Sequence, residues 1–355
     1  MKKTGIVLAV ILFLYLGLSI LGSVLIMHIP RLPVNVSPSS VSLTYEEVSF
    51  SGRGDSLTLK GWFLPGQGND VIILVNGGYQ TRIDDTADTL GLAHDLVQKG
   101  YSILLFDQHG RGESDGTARA LTNFQQDIGG AIDFVRGRGY TRENIGIIGF
   151  CSGAITTSIY SSEQGDAGAI VLDGCPTTIR NMVNAQVAER SIPKPLLSIF
   201  WPGLKAGTRI FYHYTEVDPI NVVAQIKCPV FFIHEEKDNL VAMAEMTQLY
   251  GAARNPANEI WEIGGAEHSQ GYKVDRSEYV SKLDGFFAKT LKEPVFTAFE
   301  SAGMIKCENQ LLAVFTRIEH PGISVIIQIE LSDRIFHDNA FILEAFVQSF
   351  DKIVF

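Results

Sequence analysis

The segment Ile145-Gly-Ile-Ile-Gly-Phe-Cys-Ser-Gly153 carries a glycine, a nucleophile and a second glycine in the pattern G-x-Cys-x-G. A short apolar run leads into it, and residues 152–162 follow with helix-compatible composition. Together these predict a sharp strand-to-helix turn, with Gly149 and Gly153 small because the two backbones approach closely there. Cys151 would project over the strand end at a helix N-terminus, where the positive end of the helix favours a thiolate. Ser152 is the competing nucleophile by residue type. It occupies the position after the nucleophile, however, whose backbone N–H would face a developing oxyanion. A buried, inert cysteine at a glycine-rich turn is the plain alternative, and partners elsewhere in the chain decide between these readings.

Two such partners follow later runs of strand character. After residues 230–233 comes His234-Glu235-Glu236-Lys237-Asp238, and after Glu259–Ile263 comes Gly264-Gly265-Ala266-Glu267-His268. His268 would take the thiol proton and later activate water. Asp238 would orient the imidazole and stabilise its charged form. Glu235 and Glu236 are alternatives for the acid, with Asp238 at the better offset from the strand. His234 reads as structural.

The elements that must position these groups alternate. Residues 41–50 and 57–64 are rich in strand formers and joined by Gly52-Arg53-Gly54-Asp55, a hairpin signal. Val71–Val75, 101–106, Ile145–Phe150, 167–172, 230–233 and Glu259–Ile263 are short apolar runs of the kind buried on both faces of a parallel sheet. Between them, 84–99, 123–136, 152–162, 242–253 and 277–291 carry helical patterns. The alternation predicts a mostly parallel sheet with helices on both faces, whose sites lie beyond the carboxyl ends of the strands. Residues 176–225 interrupt it with Phe200, Trp201, Phe211, Tyr212 and Tyr214, and read as a lid-like insertion over the site.

At this point the chain resembles an α/β-hydrolase. From about residue 45 to 292 it is similar to the membrane-anchored or secreted bacterial hydrolases grouped near serine aminopeptidases and acyl esterases. The order nucleophile, acid, histidine matches, and three further segments agree. Val71-Ile-Ile-Leu-Val-Asn-Gly-Gly78 resembles the strand ending in His-Gly-x. Phe106-Asp107-Gln-His-Gly-Arg-Gly-Glu-Ser-Asp-Gly116 resembles the family's Asp-x-Arg-Gly-x-Gly-x-Ser loop. Leu240-Val241 continues after Asp238 as usual. The resemblance implies an oxyanion hole from the backbone N–H groups of Ser152 and Gly78, with Tyr79 as another donor. It implies no metal or organic cofactor, and a loop-structuring role for His109 and Arg111. Three departures stand out: cysteine replaces serine at the turn, as in dienelactone hydrolases; Asn76 replaces the histidine before Gly77; and Glu235 stands where glycine is common.

Residues 5–27 are 23 consecutive uncharged positions, almost all apolar. As a helix they would reach roughly 34 Å, enough for a hydrocarbon core of ~30 Å. A cleaved signal peptide would be shorter and end at a small-x-small site, where this chain has Leu25, Ile26 and Met27. Residues 1–28 are therefore expected to be an uncleaved membrane anchor and 29–44, with Pro30, Pro33 and Pro38, a linker. Lys2 and Lys3 favour a cytoplasmic N-terminus and an extracytoplasmic catalytic domain, although His28 and Arg31 on the far flank oppose that orientation. Asn35-Val36-Ser37 and Arg53-Gly54-Asp55 match short motifs but read as linker and turn.

The whole chain has 355 residues and a net charge of −10, with 46% hydrophobic and 19% charged residues. That balance excludes a disordered chain, and the acidity argues against a nucleic-acid partner. Cys151, Cys175, Cys228 and Cys307 show no CxxC spacing, so zinc and thioredoxin-like chemistry lack support. Residues 293–355 exceed the hydrolase fold. Within them, 310–319 and 323–331 read as strands around the turn His320-Pro321-Gly322, and 338–350 as a helix, giving a small α+β appendage. The expected activity is hydrolysis of an ester-like acyl bond in a small-molecule or acyl substrate through Cys151, His268 and Asp238. Thioester hydrolysis, acyl transfer, peptide hydrolysis and a non-catalytic binding role on the same scaffold are the alternatives.

Overall fold

The computed structural model describes residues 2–120, 122–189 and 194–291, together with four short strands between 305 and 325. The chain divides into two compact units, Met1–Pro294 and Val295–Phe355. The first holds eight strands: β1 (Glu46–Ser51), β2 (Thr58–Leu64), β3 (Val71–Val75), β4 (Ser102–Phe106), β5 (Ile145–Phe150), β6 (Ala169–Asp173), β7 (Val230–Glu235) and β8 (Glu259–Ile263). Its helices are α1 (Lys2–Met27), α2 (Thr89–Gln98), α3 (Gln125–Gly137), α4 (Ser152–Glu163), α5 (Ile179–Glu189), α6 (Lys194–Tyr212), α7 (Pro219–Val222), α8 (Met243–Ala252), α9 (Gly271–Val274) and α10 (Arg276–Thr290).

The strands form one sheet in the order β1-β2-β4-β3-β5-β6-β7-β8. β2 runs antiparallel to both β1 and β4, and every pairing from β4 to β8 is parallel. The central strands are buried on both faces. Val71, Ile73 and Val75 of β3 enter one apolar cluster with residues of α3 and α4, while Ile72 and Leu74 enter another with residues of α2 and α10. This two-sided burial explains the uninterrupted apolar runs in the sequence.

Three of the boundaries that differ from the pattern in the sequence have an evident local reason. The first strand begins at Glu46 and not near residue 41, because Pro38–Val41 forms a 3-10 turn closed by Ser42 in the left-handed region. α2 begins at Thr89 rather than 84, because Asp88 caps it by accepting from the Gly91 N–H. β7 extends through Glu235, because His234 and Glu235 continue the pairing with β8. The Arg53-Gly54-Asp55 turn is pinned by Arg53, which donates to Asp133, Asp166 and the Tyr160 hydroxyl.

In the second unit, β9 (Ile305–Cys307) pairs antiparallel with β10 (Gln310–Leu312), and β11 (Ile318–Glu319) with β12 (Ser324–Val325). Within the strand expected over 310–319, the described parts are β10 and β11, which have different partners. The expected turn at 320–322 and the helix over 338–350 lie outside the described residues.

Under the carboxyl end of the first unit's sheet lies an unusual pair. Asp173 ends β6 and Glu235 ends β7, and both are fully buried. The Tyr279 hydroxyl donates to Asp173 Oδ2 at 2.6 Å. Burial pushes Asp173 up to about 6. Burial first, and the charge of Asp173 second, push Glu235 well above the usual carboxylate range. Both carboxyls therefore hold their protons to higher pH than free ones do. Because both folded-state values lie above the unfolded ones, the native state binds more protons and loses stability as pH rises above about 4 toward those raised values. Glu235→Gln should flatten that decline relative to the wild type, read as unfolding midpoints between pH 4 and 8. An unchanged pH slope would contradict it.

Candidate active site

The turn after β5 has the geometry that its sequence requires. Cys151 has φ 52° and ψ −116°, outside the regions that a side chain ordinarily adopts. Its N–H donates to the Asp173 carbonyl at 2.9 Å, and its own carbonyl accepts from Ala154 and Ile155 to start α4. The flanking glycines leave no room for a side chain. A Cβ on Gly149 would lie 2.6 Å from Thr157 Oγ1, and one on Gly153 would strike the Val75 carbonyl. Cys151 is part-exposed at this turn. Cys175 sits nearby but is fully buried. Burial, with the charges of Cys151 and Glu245, pushes its thiol well up and keeps it protonated.

His268 and Asp238 come together from two different loops. His268 Nδ1 lies 2.6 Å from Asp238 Oδ2, with the carboxylate fully enclosed. The other oxygen, Asp238 Oδ1, accepts from the backbone N–H groups of Leu240 and Val241 at 2.7 and 2.9 Å. The carboxylate is thus aimed before it meets the ring, and Nδ1 is the nitrogen that donates to it. Nε2 keeps no hydrogen bond and couples electrostatically with Cys151. Burial alone would lower the imidazole. The charge of Cys151, then the hydrogen bond that Nδ1 donates to Asp238, outweigh it and push His268 up to about 11.

The other acids and the second histidine near this loop do different work. Glu236 accepts from the Gly265 N–H at 2.7 Å on the surface, and Glu235 belongs to the buried pair beneath. His234 is buried, and that burial lowers its pKa. Gly174 was not singled out in the sequence, yet it makes the site possible. It sits at φ 58°, and a Cβ there would lie 2.9 Å from His268 Cε1. Its only signal in the sequence is a glycine directly after a buried strand.

The loop after β3 lies against the turn. A Cβ on Gly77 would fall 2.5 Å from the Phe150 carbonyl and 2.9 Å from Ser152 N. Gly78 N–H, expected as an oxyanion donor, donates to Ser152 Oγ at 2.6 Å. The Ser152 side chain therefore turns toward the β3 loop, and its hydroxyl must rotate away before an oxyanion can use that N–H. Asn76 Nδ2 donates to the Thr81 carbonyl and closes the loop on itself. Arg111, fully buried, donates to the Gly78 and Arg119 carbonyls at 2.9 Å each. Asp107 accepts from the Arg82 side chain at 2.6 Å and from its backbone N–H at 2.5 Å, in a buried ion pair. Together these tie the glycine loop to the 107–116 loop. His109 donates or accepts at Asp127 and Thr122, further from the thiol.

Residues 68–220 match the family described as serine aminopeptidase, S33. The Bacillus subtilis protein YqkD is 25% identical over 230 residues, spanning 59% of this chain and 74% of that protein. The Arabidopsis thaliana α/β hydrolase domain-containing protein WAV2 is 23% identical over 259 residues, spanning 68% of this chain and 80% of that one. Among solved structures, the Pyrococcus furiosus esterase Pf2001 aligns with a TM-score of 0.62 at 23% identity, covering 75% of this chain and all of that one. The α/β hydrolase GrgF from Penicillium sp. sh18 aligns with a TM-score of 0.56 at 18% identity, over 70% of this chain and 99% of that one. The sheet order, the turn after β5 and these structures agree on the α/β-hydrolase fold, and residues 68–220 are similar to a family of hydrolases.

Proposed function

We propose that the protein is a membrane-anchored hydrolase that cleaves an ester-like acyl bond through a Cys151–His268–Asp238 triad. The observation that carries this reading is Cys151 on the strained turn, with His268 beside it held against the enclosed Asp238 carboxylate. The Cys151–His268 pair shares one proton, and its reactive form is the thiolate beside the imidazolium. Sγ attacks the carbonyl carbon, and the oxyanion takes N–H donors from Ser152 and Gly78 once the Ser152 hydroxyl has turned aside. The bond to the leaving alkoxide breaks, and His268 Nε2 supplies its proton. The neutral imidazole then takes a proton from water as the water attacks the thioester. The acid departs, and Sγ returns as thiolate beside the imidazolium. Esters suit this route better than amides, since an alkoxide leaves more easily than an amine.

The anchor in this reading is α1. The segment Lys3–Met27 is long and apolar enough to cross a bilayer, with a mean hydropathy of 2.6 over its best window and almost none of it buried. Lys2 and Lys3 at its start support a cytoplasmic N-terminus with the hydrolase on the other side.

Cys151→Ala should abolish turnover of a short-chain aryl ester with the fold intact by circular dichroism, whereas Ser152→Ala should keep it, since Ser152 contributes its backbone. Full activity in the first variant, or loss confined to the second, would exchange the nucleophile. With His268 held up at about 11, the basic limb of kcat/KM should lie above pH 10. Asp238→Asn should move that limb downward, and a pH-rate series reads both. Arg111→Met should lower kcat by about 10–100-fold with little change in KM, because it loosens the Gly78 loop needed in the transition state. A loss seen only in KM would place Arg111 outside that role.

A further inference from the structure

α6, the longest helix of the insertion, packs along α1 through small residues on both sides. Ser19 and Ser23 of α1 face Gly203 and Gly207 of α6, each four residues apart, and a Cβ on either glycine would strike the facing serine. Ser23 Oγ donates to the Leu204 carbonyl at 3.1 Å and to the Ser19 carbonyl at 2.8 Å. Tyr15 stacks on Phe200 with ring centroids 5.4 Å apart. Contacts rise in step along both chains, so the helices run in the same direction. Small-xxx-small crossings of this kind let helix backbones approach within a bilayer.

The face of α6 beside that contact is apolar and unpartnered. Ile199, Pro202, Ala206 and Ile210 recur at spacings of three and four and are all exposed, Ile199 by 61% and Ile210 by 64%. The stripe adjoins Leu16, Ile20 and Val24 on the exposed side of α1. Lys205 and Arg209 lie on its other border, where cations flank an interfacial helix. The continuity with α1 identifies the occupant of this face as lipid.

A cleft of about 400 Å³ opens at the same edge, lined by Pro202, Ala206, Arg209, Tyr214 and Thr215. Tyr214 and Thr215 also line the cavity beside Ser152 and Ile155. That cavity is only about 20 Å³, so Tyr214 and Thr215 form the shared wall between the cleft at the lipid-facing stripe and the turn after β5. We propose that α6 dips its stripe into the leaflet from which α1 emerges, and that the substrate is a bilayer-resident long-chain acyl ester that reaches Cys151 past Tyr214. This inference rests on the membrane-anchored, cysteine-dependent reading above.

The test uses the full chain in phosphatidylcholine nanodiscs. Ile210→Trp should gain quenching by brominated lipid beyond the background from Trp62, Trp201 and Trp261. The double variant Ile199→Glu/Ile210→Glu should lose at least about tenfold in turnover of 4-methylumbelliferyl oleate held in the bilayer, while staying within about twofold of wild type on soluble p-nitrophenyl butyrate. Absence of added quenching while the chain stays in the disc, or equal turnover of the oleate ester by the double variant, would overturn the lipid-facing lid and leave the triad standing. Wild-type failure on both esters would instead overturn the hydrolytic reading, while the quenching result would still report where α6 lies.

Discussion

The site depends on one backbone constraint, the turn at Cys151. With φ at 52° and ψ at −116°, a side chain there carries strain that the surroundings must compensate. The Asp173 carbonyl holds the Cys151 N–H, and α4 begins on the Cys151 carbonyl. Gly149, Gly153 and Gly77 let β5, α4 and the β3 loop close around it without side chains between them. A substitution at any of the three would push apart the elements whose contact creates the site. The sheet thus supplies more than a platform, because its central strands hold the strained residue by backbone contacts alone.

The remaining groups are arranged by what lies behind them. Asp238 is aimed by two backbone N–H groups before it meets His268, and Gly174 clears the space that the ring occupies. The β3 loop is held from the far side by Arg111 at the Gly78 carbonyl and by the Arg82–Asp107 ion pair. Arg82 and Asp107 satisfy each other, while Arg111 donates through Nη2 alone and leaves Nε and Nη1 without a partner. Such groups cost stability when left unpaired and give a single geometry when satisfied. Near the histidine, burial raises both carboxyls of the Asp173–Glu235 pair and so opposes two negative charges at these strand ends.

A thiol changes the electrostatics of this frame. A hydroxyl nucleophile stays neutral until attack, so its histidine rests as a free base. Burial alone would lower His268, but Cys151 beside it and the hydrogen bond that its ring donates to Asp238 hold it up at about 11. In the proposed cysteine route the stronger acid step falls on leaving-group departure, which suits the ester-like bonds proposed as substrate.

Much was legible in the chain itself. The apolar runs and their alternation with helical segments determined a parallel sheet, because two-sided burial leaves no polar alternation in a strand. The pattern G-x-Cys-x-G and the strand-end positions of Asp238 and His268 marked the candidate triad, since the turn demands small residues and the chemistry demands those side chains. Other features were decided only by tertiary structure, because they arise between residues far apart in sequence. Gly174 matters through a histidine 94 positions later, and Arg111 through a carbonyl in another loop. The Gly78 N–H is occupied by a hydroxyl from the neighbouring turn. The facing of Gly203 and Gly207 with Ser19 and Ser23 joins segments 184 residues apart. No local pattern records such pairings, since each partner alone is an ordinary glycine, arginine or serine whose meaning depends on what the fold brings against it.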